Sequence, residues 1–112
     1  MKIALPMANG LLAMHFGHCE VFAFVETDPE AKRILGTTTE PAPAHQPGLL
    51  PTWLARRGVD LIIAGGMGRR AQDLFARENI RVVVGAPALD AESLAQQYLD
   101  GVLESGENIC DH

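Results

Sequence analysis

Val59 to Ala64 is a nearly continuous apolar run, and Gly65-Gly66-Met67-Gly68 follows it directly. An unbroken apolar strand belongs in a sheet covered on both faces, where no residue alternates out to water. Glycines at its end, before Ala71, Leu74 and Phe75 at helical spacing, turn the strand into a helix. This strand-turn-helix unit commits the chain to an α/β architecture.

The flanking segments extend the alternation. Lys2 to Pro6, Val21 to Thr27 and Arg33 to Thr39 are β-rich, and the short Asp28-Pro29 turn predicts an antiparallel hairpin between the second and third. Glu40 to Gly48 carries three prolines and reads as a loop. Leu50, Trp53 and Leu54 then recur at helical spacing, with Arg56-Arg57 as solvated helix surface and Gly58 as the C-terminal stop. Asn79 should end the second helix, and Arg81 to Val84 forms the next strand. Asp90 should cap a third helix with Ala91, Leu94, Ala95, Tyr98, Leu99 and Val102 on one stripe. The order β-β-β-α-β-α-β-α predicts a mixed, mainly parallel sheet of about five strands with helices packed on it, three-layered if both faces are used. Residues 1–103 read as one domain and 104–112 as a tail.

At 112 residues the chain is long enough for a genuine core without staples. Nine basic against fourteen acidic side chains argue against a surface that tracks a phosphate backbone, so nucleic acid is a poor partner. No apolar run spans a bilayer and no leader-like segment precedes the first strand, which predicts a cytoplasmic protein without a membrane partner. Two cysteines far apart in sequence do not resemble the framework of a disulfide-rich domain.

Those cysteines sit beside imidazoles. His15-Phe16-Gly17-His18-Cys19 follows the first strand and Cys110-Asp111-His112 closes the sequence, so both cysteines and three of the four histidines fall in two clusters. Thiolate and imidazole suit a soft or borderline metal such as zinc, copper or iron. The same residues also read as an ordinary loop, with Phe16 and Cys19 packed inward, and an inert end. His45 lies alone in the proline-rich loop. Gly66-x-Gly68-x-x-Ala71 at a strand-to-helix junction, with Arg69 and Arg70, favours an anion through free backbone N–H groups and the helix dipole. A nucleotide-binding regulatory module would use the same turn, although no acidic residue ends the following strand. A simple zinc or copper site is a further alternative, and so is a tight turn that merely needs glycine. The sequence has no nucleophile elbow, Walker loop, His-Glu-x-x-His or paired carboxylate, so no enzyme is expected.

Met1-Lys2-Ile3-Ala4, then His15-Phe16-Gly17, Pro47-Gly48-Leu49-Leu50-Pro51 before Trp53-Leu54, Gly58-Val59-Asp60, and Ile63 to Ala71 resemble, in order, the dinitrogenase iron-molybdenum cofactor biosynthesis family. The ending Gly106 to His112 resembles that of one of its subgroups. The resemblance implies a ribonuclease H-like α/β sheet and a non-enzymatic carrier of an anionic metal–sulfur cluster, iron–molybdenum or molybdenum–copper, with cluster-assembly or acceptor proteins as partners. It places the metal ligands at His15, His18, Cys19, His45, Cys110 and His112. The remaining contacts with the cluster fall at Phe16, Gly17, Gly65, Gly66, Met67, Gly68, Arg69 and Arg70.

Overall fold

Residues 1–44 and 48–104 are described by the computed structural model; His45, Cys110 and His112 lie outside them. Strands β1 (Lys2–Ala8), β2 (Leu11–Leu12), β3 (Val21–Asp28) and β4 (Arg33–Pro41) come first, with a 3₁₀ turn over Phe16–His18 between β2 and β3. Helix α1 (Leu49–Ala55), β5 (Leu61–Ile63), α2 (Arg69–Arg77), β6 (Arg81–Val83) and α3 (Ala91–Asp100) follow.

The sheet runs β4-β3-β1-β5-β6, with β2 paired to β1. Among the described residues it has six strands rather than about five, and it is not mainly parallel. β1 pairs antiparallel with β2 and β3, and β3 with β4, whereas only β1–β5 and β5–β6 are parallel. The reason lies in the connections. A parallel neighbour needs a crossover, and only the segments carrying α1 and α2 supply one; the links before β2, β3 and β4 contain no α-helix and return the chain antiparallel.

β1 shows why both faces are covered. Ile3 and Leu5 point with Val25, Leu61 and Ile63 toward Leu94 and Ala95 of α3. Ala4 points the other way, with Phe22, Phe24 and Ile62, toward Leu54 of α1 and Phe75 of α2. The domain is therefore three-layered, α3 on one face and α1 with α2 on the other. Among the described residues no helix is long and apolar enough to cross a membrane.

Local signals set the helix ends. Asp90 caps α3, accepting from the Ser93 amide at 3.0 Å and the Ser93 hydroxyl at 2.7 Å, and this holds its carboxyl below the ordinary range. Gly101 (φ 74°) closes α3 with Gly101 N–H donating to Tyr98 and Val102 N–H to Gln97, the bond pair of a Schellman stop. Val102 therefore leaves the buried stripe expected of it and is 64% exposed. Asn79 (φ 60°) stands just past α2, where a terminator was expected.

Arg57 corrects a second expectation. Instead of lying in solvent, its guanidinium grips Glu40 of β4 through two bonds, Nε–Oε2 at 2.9 Å and Nη2–Oε1 at 3.1 Å. It also donates to the Trp53 carbonyl and lies 3.6 Å from the centroid of the Trp53 ring, an arrangement of bidentate pairing and cation–π contact available to arginine but not lysine. The pair holds Glu40 below the usual carboxylate range, chiefly through the hydrogen bond from Arg57. The C-terminal end of α1 is thus tied to the edge strand β4.

Candidate functional site

β1 and β5 are parallel neighbours whose chains depart in opposite directions, β1 toward β3 and β5 toward β6. Beyond the carboxyl ends of such a pair an open α/β sheet leaves a crevice. The loop of residues 9–20 and the glycine turn both emerge there.

Asn9 (φ 56°) and Gly10 (φ 80°) form the tight turn into β2, which folds back on β1 with Leu12 buried. Ala13 N–H donates to the Pro6 carbonyl at 2.8 Å. This short hairpin was missed in the sequence, although Asn-Gly between apolar residues is its usual signature. It carries His15 to His18 back over the crevice.

Within the 3₁₀ turn Phe16 points inward and meets Phe75 of α2 edge to face, ring centroids 5.4 Å apart. Its amide donates to the Gly66 carbonyl at 2.9 Å. His15 and His18 are exposed, with ring centroids 5.9 Å apart. The structure thereby brings the first cluster and the glycine turn together.

The glycine turn divides into three parts. Gly65 is a packing residue, because a Cβ there would lie 3.0 Å from the Ala13 carbonyl oxygen and 3.1 Å from that of Met14. Gly66, Met67 and Gly68 line the cleft. Arg69 and Arg70 are exposed in the first turn of α2 and are not among the lining residues. Helix α2 begins at Gly68 with no side-chain cap and no acidic residue in its first turn, so its positive dipole end opens beside the cleft.

The cleft encloses about 420 Å³. His15 and His18 stand on one lip, Gly48 and Leu50 on another, and Met67, Leu74 and Phe75 supply apolar walls. Its chemistry combines two imidazoles, a helix N-terminus and a largely apolar lining.

Cys19 stands apart from the imidazoles. The 3₁₀ turn ends at His18, and Cys19 is extended (φ −91°, ψ 153°), so its side chain serves an adjacent hollow of about 220 Å³ with Glu20, Ala42 and Ala44. It packs against the core beneath α1 and α2. Burial pushes the Cys19 thiol up, against a smaller opposing effect of a backbone hydrogen bond. Among the described residues no three His, Cys, Asp or Glu side chains are grouped to hold a metal ion.

Residues 1–101 match the family described as "Dinitrogenase iron-molybdenum cofactor". MJ0580, an uncharacterised protein of Methanocaldococcus jannaschii, is 32% identical over 110 residues, which cover 96% of this chain and 92% of that protein. The crystal structure of PH0822 superposes with a TM-score of 0.87 at 23% identity, covering 96% of each chain. The apo form of the orange protein from Desulfovibrio gigas gives a TM-score of 0.72 at 21% identity, covering 96% of this chain and 93% of that one. The two structures share the fold, and the match over nearly the whole domain places this chain in the dinitrogenase iron-molybdenum cofactor family.

Proposed function

We propose that this protein is a non-enzymatic carrier that holds an anionic metal–sulfur cluster, of the iron–molybdenum or molybdenum–copper type, or a precursor of one, in the cleft between the first loop and the glycine turn. The observation that carries this reading is the cleft itself, lined by two imidazoles and by Gly68 at the N-terminus of α2, whose first turn holds no acidic residue. Its volume of about 420 Å³ far exceeds the space of one water, ~30 Å³, and admits a polyatomic guest. A cluster brings its own sulfides and needs few protein ligands, which fits a lip carrying two imidazoles.

In this reading His15 and His18 attach the cargo or donate hydrogen bonds to its sulfides, and the amides around Gly66 to Gly68 offset its negative charge. Arg69 and Arg70 add positive potential beyond the rim. Cys19 is a thiolate candidate from the neighbouring hollow, while His45, Cys110 and His112 are candidates outside the described residues. Family membership supports cluster-assembly or acceptor proteins as partners. The strand order and the two-sided helical cover support a ribonuclease H-like scaffold.

Anaerobic reconstitution with molybdate, sulfide and copper or iron, followed by desalting, elemental analysis and visible absorption, tests the proposal. Co-eluting molybdenum and sulfide with a charge-transfer band are expected. Calorimetric titration with adenine nucleotides should show no binding. Submillimolar nucleotide binding that disappears in Gly68→Ala, with no metal retained, would replace the carrier by a nucleotide-responsive module.

A further inference from the structure

The imidazole cleft and the Cys19 hollow share a partition built from Phe16, Gly17 and Leu50. Phe16 is fixed in place by its bond to Gly66 and its contact with Phe75. Gly17, having no side chain, contributes only backbone to this partition.

Among the described residues nothing requires glycine at 17. Its φ lies outside the left-handed region and a Cβ there would meet no described atom within 4 Å. Gly48 (φ 79°) and Gly65 (backbone contact at 3.0 Å) do have such internal reasons. Gly68, on another wall of the cleft, resembles Gly17: its φ of −63° is ordinary and the space beside it is open. Gly36 of β4 is as free but lines neither hollow; at Gly17 and Gly68, which line the cleft, the missing side chain lets a guest approach the backbone closely.

Resting on the carrier reading, we infer that the guest lies across Gly17 and fills the imidazole cleft and the Cys19 hollow as one two-lobed site. Gly17 and Gly68 are then specificity-determining positions, and a side chain at 17 closes the passage between the lobes.

The test uses tetrathiomolybdate with cuprous ion as the probe and iodoacetamide alkylation of Cys19 as the report, with peptide mapping to separate Cys19 from Cys110. Loaded protein should alkylate at Cys19 about tenfold more slowly than free protein if nine-tenths of the molecules are occupied. Gly17→Val should melt with the wild type, retain less metal and lose the protection. Retained metal with Cys19 alkylating at the free-protein rate overturns the two-lobed site while leaving the carrier reading intact. Loading and protection in folded Gly17→Val equal to the wild type overturn it as well. Should Gly17→Val misfold, the wild-type protection result alone decides. Wild type that retains no metal after desalting removes the carrier reading and this inference together.

Discussion

The amide of Phe16 donates to the carbonyl of Gly66 across 2.9 Å, although one residue follows β2 and the other follows β5. That bond joins the imidazole loop to the glycine turn, so these two walls of the cleft are tied together before any guest arrives. Preorganisation of this kind lowers the ordering cost of binding.

Gly65 is the tightest point of this junction. Gly65→Ala places a Cβ against the backbone of Ala13 and Met14, atoms that yield only if the loop shifts, and such overpacking costs about 1–3 kcal/mol. Gly68→Ala, with open space around it, should melt with the wild type. Urea unfolding of both variants checks the contrast, and equal midpoints for Gly65→Ala and wild type would show that the loop is not held where we place it.

His15→Ala and His18→Ala together should leave the melting temperature nearly unchanged, because both side chains are exposed. Cluster retention should fall. If each imidazole makes one hydrogen bond to a charged guest, worth about 1.5–3 kcal/mol, each loss corresponds to roughly a tenfold to hundredfold weaker affinity. Retained molybdenum per chain after dilution measures this, and wild-type retention by the double variant would move the cargo elsewhere.

Thiol attachment is separable from imidazole attachment. A Cys19→Ser, Cys110→Ser double variant should lose or blue-shift any sulfur-to-metal absorption band if either thiolate is a ligand. Equal retention and an unchanged spectrum would confine the protein's contribution to imidazoles and amides. Residues 102–112 lie beyond the family match, so removal of Cys110 to His112 alone asks whether the ending contributes a clasp.

Acid should loosen the fold through two depressed carboxyls. Asp90 and Glu40 both titrate below their ordinary values in the folded chain. Their contributions are therefore complete above the unfolded carboxylate range and disappear as pH falls through the lower folded values. Asp90→Ala should cost about 1 kcal/mol at neutral pH, the usual worth of a helix cap, and this difference from wild type should shrink in acid. Arg57→Ala should likewise flatten the part of the acid response that belongs to Glu40. Unfolding midpoints measured from neutral to acidic pH check both, and parallel curves for variant and wild type would contradict the linkage.

The features legible in sequence were the local ones. Asp90 caps α3 through Ser93 three positions on, Asn79 stands in the left-handed region after α2, and the β3–β4 hairpin follows from a short turn; each needs only neighbouring residues. Sheet direction was misjudged because it depends on which strands lie side by side, and β1 sits between an antiparallel and a parallel partner. The site was legible as a pairing of two segments but not in its division of labour. His18 and Cys19 are adjacent in the chain, yet the step from a 3₁₀ turn to extended backbone sends them into different spaces. Gly65 and Gly66 are equally adjacent, and only the second lines the cleft. Arg57 reads as helix surface until β4 brings Glu40 under it.

The Arg57 grip has an optical consequence. Trp53 is the chain's one tryptophan, seated between a guanidinium and the rings of Phe22 and Phe24 on the helix whose first turn borders the cleft. Its emission is therefore a built-in gauge of how α1 is seated, and loading of the cleft can be followed as quenching or a wavelength change without any attached label.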